Sequence, residues 1–183
     1  DKLYSKLMEK SILSILENYV KPGLVIDVGG NTGYQTYFHA QNNNVVTYEP
    51  VPELFEVLKN NLQKFDNIIF INKAVGSHCG EVKLYVDINR LSMTSQAPLV
   101  ENEEITVPIV TLDSEEHENV SFLKVDVEGF ELQVLEGAVN LIERDKPTCM
   151  VEIYEPWCKK LDFPVEKYFE FFEERGYNTY YYN

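Results

Sequence analysis

The segment Val25-Ile26-Asp27-Val28-Gly29-Gly30-Asn31-Thr32-Gly33-Tyr34 constrains this chain most. A short apolar run ends in a carboxylate, passes through a glycine-rich turn and enters a predicted helix. Open α/β sheets build a nucleotide pocket this way, at the carboxyl end of the first strand. Later segments repeat the pattern. Val45-Val46-Thr47-Tyr48-Glu49-Pro50 reads as a second strand ending in an acid, and Phe122-Leu123-Lys124-Val125-Asp126-Val127-Glu128-Gly129 as a later strand ending in two more. The expected fold is therefore α/β, with a mostly parallel central sheet flanked by helices.

The remaining pattern fills in the order of elements. Leu3, Leu7, Ile12, Ile15, Leu16 and Tyr19 recur at helical spacing and predict an amphipathic leading helix, which Lys21-Pro22-Gly23 stops. A helix is expected from about Gly33 to Ala40. Pro52 suits the first turn of the next, whose stripe is Leu54, Phe55, Leu58 and Leu62. Ile68 to Ile71 is the third strand. Val82 to Val86 and Ile105 to Val110 read as an inserted pair of strands, separated by a long polar loop from Asp87 to Glu104. Leu132, Leu135, Ala138 and Leu141 predict one helix behind the strand that starts at Phe122. A further strand covers Cys149 to Ile153, and Pro164 opens a final helix that Gly176 ends. Tyr180-Tyr181-Tyr182 reads as a last strand or a truncated end. Residues 1–183 are expected to form a single domain.

Composition removes several classes of partner. With a net charge of -14, the surface repels phosphate backbones and anionic membranes, so nucleic-acid binding through a basic patch is not expected. A neutral polyol such as a sugar meets no such repulsion. Cys79, Cys149 and Cys158 form no metal-type spacing with His39, His78 or His117, and read as reduced thiols. His39 and His78 read as structural or exposed. No run is apolar enough to span a bilayer, and no signal peptide is visible. The first residue is Asp1, as in a processed protein or a domain excised from a longer polypeptide; the cytoplasm is the expected compartment.

The glycine turn can be tested against two nucleotides. A dinucleotide fold calls for G-x-G-x-x-G, which would place glycines at positions 31 and 34. Asn31 and Tyr34 stand there, denying a pyrophosphate its close backbone approach. An NAD-dependent oxidoreductase is thus disfavoured. S-adenosylmethionine carries no phosphate and tolerates the bulk. Glu49, 20 residues after Gly29, could accept both ribose hydroxyls; an acid at a strand end can also be a solvated terminus. Asp27 is expected to tie down the N–H groups of the turn and to help hold the ligand's ammonium. Asp126 and Glu128 share a face if the strand continues through them; otherwise Glu128 caps the following helix. Lys124 either neutralises the acids, orients an acceptor or snorkels at the strand edge. Asp126, Glu128 and Glu152 together could hold a divalent cation such as magnesium. Trp157 and Tyr154 are expected at the pocket rim, where rings pack against sugar faces or simply against the core.

Taken together, Asp27-Val28-Gly29-Gly30-Asn31-Thr32-Gly33, Tyr48-Glu49-Pro50, Ala74-Val75-Gly76, Lys124-Val125-Asp126-Val127-Glu128-Gly129-Phe130-Glu131 and Val151-Glu152-Ile153 resemble the FkbM family of S-adenosylmethionine-dependent methyltransferases. The resemblance runs from about Val25 to Glu155. It departs at Gly30, where alanine is common, and in the Ser92 to Ser95 loop. It implies a Rossmann-like class I methyltransferase of the seven-stranded type that largely methylates hydroxyl oxygens, often on sugars. Carried over, it implies cofactor contacts from Asp27, Gly29, Asn31 and Gly33, a ribose contact from Glu49, and an adenine flanked by Ala74 and Val75. The block containing Lys124, Asp126 and Glu128, with Glu152 beside it, would face the methyl and supply the catalytic acids. The expected activity is O-methylation of a sugar hydroxyl on a glycan or glycosylated product. The alternatives are a non-sugar acceptor or a non-catalytic binding module. A glycosyltransferase domain is an expected neighbour in any parent chain.

Overall fold

A computed structural model of the protein describes residues 19–87, 94–95, 102–162 and 164–180. The expected leading helix up to residue 18, the first half of the Ser92 to Ser95 loop and the end of the Tyr180-Tyr181-Tyr182 run lie outside the described residues. Along the chain stand β1 (Leu24–Val28), α1 (Tyr34–His39), β2 (Asn44–Tyr48), α2 (Pro52–Leu62), β3 (Ile68–Ile71), β4 (Ala74–Val75), β5 (Gly80–Asp87), β6 (Thr94–Ser95) and β7 (Asn102–Val110). Then follow β8 (Val120–Val125), α3 (Glu131–Glu136), α4 (Val139–Asp145), β9 (Thr148–Val151), α5 (Glu155–Lys160) and α6 (Glu166–Glu173).

Five strands form a parallel sheet in the order β3-β2-β1-β8-β9. Period-two alternation divides its residues between two faces. Ile26, Val28, Val46, Tyr48, Leu123 and Val125 pack with Leu135, Leu141, Ile142, Tyr168 and Phe172 from α3, α4 and α6. On the opposite face Val25, Val45 and Phe122 pack with Ala40, Leu58 and Leu62, behind α1 and α2. Burying both faces is what lets these strands be nearly continuous apolar runs. The resemblance implies seven strands in the main sheet; among the described residues it has five.

A second sheet, β4-β7-β5-β6, is inserted between β3 and β8. The expected strand pair is present and longer than its apolar cores suggest. β5 and β7 pair antiparallel from Gly80↔Ile109 to Asp87↔Asn102, and Thr94–Ser95 adds a strand against Tyr85 and Val86. The expected loop from Asp87 to Glu104 is therefore shortened at its far end and interrupted by β6. Glu103 and Glu104 read as loop because they are charged, but a ladder needs backbone groups, not apolar side chains. Glu104 also closes a 2.8 Å ion pair with Lys83 across the pair.

The helix expected from Leu132 to Leu141 is two helices, because glycine at Gly137 is a weak helix former and the backbone turns there. Among the described residues no helix is long and apolar enough to cross a membrane.

Candidate active site

The parallel register builds the site. Tyr48, Val28, Val125 and Val151 stand side by side across β2, β1, β8 and β9. One residue further along each strand come Glu49, Gly29, Asp126 and Glu152. Four chain segments thus deliver their chemistry to one line above the carboxyl ends of the strands, where open α/β sheets bind ligands. A cleft open to solvent lies over the Glu49 to Asp126 part of this line, with Asn31, Ala74, Val75, Glu128 and Phe130 among its walls.

The Gly29 turn folds tightly over the sheet. Gly29 (φ 86) and Gly33 (φ 91) take left-handed backbone conformations, and a Cβ on Gly29 would lie 1.9 Å from the carbonyl oxygen of Asp126. The N–H groups of Gly29 and Gly30 both donate to the Tyr48 carbonyl, at 3.0 and 2.9 Å. Asp27 was the expected acceptor for the turn, and the β2 backbone takes that place instead.

Gly30 has an ordinary φ and is a glycine for space. A Cβ there would come within 2.3 Å of Thr47 Oγ1, a buried hydroxyl with no hydrogen-bond partner among the described residues. Gly30→Ala should therefore destabilise the protein by about 1–3 kcal/mol through overpacking. Thr47→Ala should restore part of that loss, with a coupling of about 1 kcal/mol in a double-mutant cycle of denaturant melts. Strict additivity would mean that Thr47 simply swings aside.

Glu49 is 5% exposed at the cleft wall. Its Oε2 accepts the Asn31 N–H at 2.9 Å and its Oε1 the Val51 N–H at 3.0 Å. Burial pushes its carboxyl up, and these two N–H groups pull it back towards the charged form. Each oxygen keeps a lone pair for a hydroxyl on the cleft side. Asn31 holds φ 51 with its own Oδ1 accepting the Thr32 N–H at 2.7 Å. Ala74 and Val75, with Leu54, Leu84 and Phe130, make the apolar end of the cleft.

Asp27 and Lys124 lie beneath this surface. Thr47, Asp27 and Lys124 are register partners on the α1 face of the sheet, and all three are buried. Asp27 Oδ2 accepts the Thr36 hydroxyl at 2.6 Å, and Oδ1 pairs with Lys124 Nζ at 3.0 Å. Lys124 also donates to the Gly29 carbonyl at 2.6 Å and approaches Asp126 at 3.6 Å. Burial opposes its charge, but Asp27 and Asp126 outweigh it and hold the ammonium above its ordinary pKa. Neither Asp27 nor Lys124 lines the cleft. Of the roles expected for Lys124, the ion pairs fit neutralising the acids, and with Asp27 it ties β8 to the glycine turn.

Asp126, Glu128 and Glu152 bring carboxylate oxygens within 4.8 Å of one another. They do not meet by strand alternation, because β8 ends at Val125. The chain bends through 127–129, and Glu128 takes φ 55, which turns its carboxylate back towards Asp126. Nor does Glu128 cap a helix; its Oε2 accepts the indole N–H of Trp157 at 3.1 Å. Partial burial pushes the Glu128 carboxyl up, and that N–H opposes the shift. Glu152 is an exposed residue whose carboxyl faces the other acids. Partial loss of water, then the negative charges of Asp126 and Glu128, push it up to about 8. Trp157 is buried behind Glu128 and is no rim platform, whereas Tyr154 is exposed.

The Glu152 shift fixes a sign. An acid whose folded pKa is raised holds more protons folded than unfolded, so its contribution to stability is lost as pH rises from about 4.5 towards 8. Glu152→Gln should therefore melt progressively higher than the wild type as pH is raised from 5 to 8, and near it at the lower end. Melting curves across that range check this; a pH-independent difference would mean that Glu152 titrates normally.

Several cleft residues gave no sequence signal. Leu54 and Leu84 read as ordinary core, and Phe130 was only one letter of a motif. Glu131 likewise carries no signal beyond its place in the same motif. His39 is buried, with burial pushing its imidazole pKa down, and His78 is exposed, as expected. His117 instead meets the Tyr48 hydroxyl at 2.6 Å.

Comparison with known proteins bears on the family and the fold. The family model described as the methyltransferase FkbM domain matches residues 27–179. The hexuronic acid methyltransferase AglP of Haloferax volcanii is 25% identical over 134 residues, covering 70% of this chain and 55% of that protein. The chain thus spans about half the length of this curated relative. Among solved structures, the FkbM methyltransferase of Methylobacillus flagellatus superposes with a TM-score of 0.57 at 19% identity, over 79% of this chain and 36% of that one. The precorrin-6y C5,15-methyltransferase of Geobacter metallireducens gives 0.53 at 10% identity, over 92% and 71%. At such identities the structural likenesses carry the Rossmann-like fold alone.

Proposed function

Because the chain belongs to the FkbM methyltransferase domain family, we propose that it is an S-adenosylmethionine-dependent O-methyltransferase acting on a sugar hydroxyl. The observation that carries this reading is the single line of Glu49, Gly29, Asp126 and Glu152 along the carboxyl ends of the sheet. The cofactor's shape fits the residues present. Gly29 and Asn31 line the cleft where its amino acid portion would lie, Glu49 has lone pairs for its ribose, and Ala74, Val75, Leu84 and Phe130 make an apolar slot for its adenine. Asn31 and Gly33 shape that turn. Asp27 acts from below by fixing Lys124 and the Gly29 carbonyl. The sugar acceptor is favoured by the Haloferax relative, whose name gives a hexuronic acid as what it methylates.

When bound, the cofactor supplies an electrophilic methyl on a sulfonium. The protein must hold an acceptor oxygen in line and remove one proton. Asp126 is the base in this reading. Glu152, raised to about 8, is largely protonated at neutral pH and shares a hydrogen bond with Asp126. Glu128, held by Trp157, orients the acceptor hydroxyl. Lys124 keeps Asp126 in place from beneath the sheet surface.

Isothermal titration with S-adenosylmethionine tests the reading, and absence of binding at millimolar ligand would sink it. A second reading, in which a divalent cation joins Asp126, Glu128 and Glu152, is favoured by the closeness of their oxygens. Undiminished turnover after incubation with EDTA would remove it.

A further inference from the structure

The bend that carries Glu128 is organised around another carboxylate. Glu131, the first residue of α3, is 2% exposed. Its Oε1 turns back to accept the N–H groups of Val127 and Gly129, both at 3.0 Å, and its Oε2 accepts the Tyr168 hydroxyl at 3.3 Å. The backbone of the bend thus wraps an internal carboxyl group. This matters because Glu128 (φ 55) and Gly129 (φ 98) lie in left-handed space, which a chain holds only when its surroundings over-determine it. Two anchors are visible: Glu131 grips the backbone on either side of Glu128, and Trp157 grips its side chain. Gly129 also packs directly on Trp157, so backbone and side-chain anchors meet.

We propose that Glu131 is a positioning residue, whose buried carboxylate sets the 127–129 bend and so presents Glu128 to the cleft. The catalytic meaning of that presentation rests on the methyltransferase reading above; the control of the bend does not. Glutamine can replace the carboxylate here, because its amide oxygen accepts the same two N–H groups and its NH₂ can donate to the Tyr168 oxygen. Alanine cannot.

Trp157 is the only tryptophan in the chain and reports on the bend by its fluorescence. Glu131→Ala should shift Trp157 emission to the red. It should also lower kcat by about tenfold to a hundredfold, with the KM for S-adenosylmethionine within about threefold. Glu131→Gln should restore both emission and kcat to near wild type. A folded Glu131→Ala with unchanged emission and kcat would overturn the proposal, as would Glu131→Gln impaired as deeply as alanine. If the alanine variant does not fold, hydrogen exchange on the wild type decides. The Val127 and Gly129 amides, outside any helix or strand, should be protected like those of β8, and fast exchange at both overturns the proposal. Absence of methyl transfer to any acceptor would remove the enzymatic reading while leaving the emission and exchange results to judge Glu131.

Discussion

Asp126→Asn should abolish turnover, lowering kcat by about a hundredfold to ten-thousandfold, as loss of a general base does. Affinity for S-adenosylmethionine should stay within about threefold, since the carboxylate is not needed by the glycine turn, Glu49 or the apolar slot. Asparagine preserves size and the backbone contact of the Asp126 N–H to the Val28 carbonyl at 3.1 Å. What it removes is the ionised partner of Glu152. That has a second consequence. Without the neighbouring charge, the Glu152 carboxyl should fall from about 8 towards the ordinary glutamate range. Calorimetric titration of cofactor and steady-state rates on a panel of glycosides measure the first effect, and carboxyl NMR titration the second. Normal turnover would remove Asp126 as base and as metal ligand at once.

Lys124→Met should cost about 3–5 kcal/mol at neutral pH, the usual penalty for stranding one member of a buried ion pair. In a chain of this size that is a fall in Tm of about 6–20 °C. The reason is local. Asp27 has no solvent access, and with Lys124 gone its carboxylate keeps the Thr36 hydroxyl as hydrogen-bond donor, with the buried His39 imidazole nearby. Asp27 would then have to be protonated to remain buried, so the penalty should shrink as pH is lowered. Asp27→Asn combined with Lys124→Met should recover most of the loss, because both charges leave together and asparagine can still bond Thr36. Thermal melts of the two single variants and the pair measure this. A loss under about 1 kcal/mol for Lys124→Met would mean that the pair is not structural, and would return Lys124 to the list of groups free to touch an acceptor.

The Lys124 case shows where sequence reading runs out. That it precedes the acids at its strand end was visible, as was the strand that carries it. Which face of the sheet it occupied depended on counting alternation from Phe122, and which element covered that face depended on where α1 docks. The acids show the converse. Asp126 and Glu128 were expected on one face only if the strand continued through them; it ends at Val125, and a left-handed residue brings their carboxylates close instead. The apolar walls of the cleft were half legible: Ala74 and Val75 lie in the motif, whereas Leu84 comes from the inserted sheet, whose hydrophobic pattern says only that it packs.

By itself the sequence determined the strands of the parallel sheet, their helices, the conformationally free glycine turn and the stock of acids at strand ends. These follow from periodicity and backbone stereochemistry, which act over a few residues. The tertiary structure alone decided that Glu49, Gly29, Asp126 and Glu152 form one row, and that Asp27 and Lys124 sink beneath it while Glu128 turns towards it. Strand register and layer packing set those relations, and both are long-range: they bring together residues far apart in the chain, according to which faces can be kept from water.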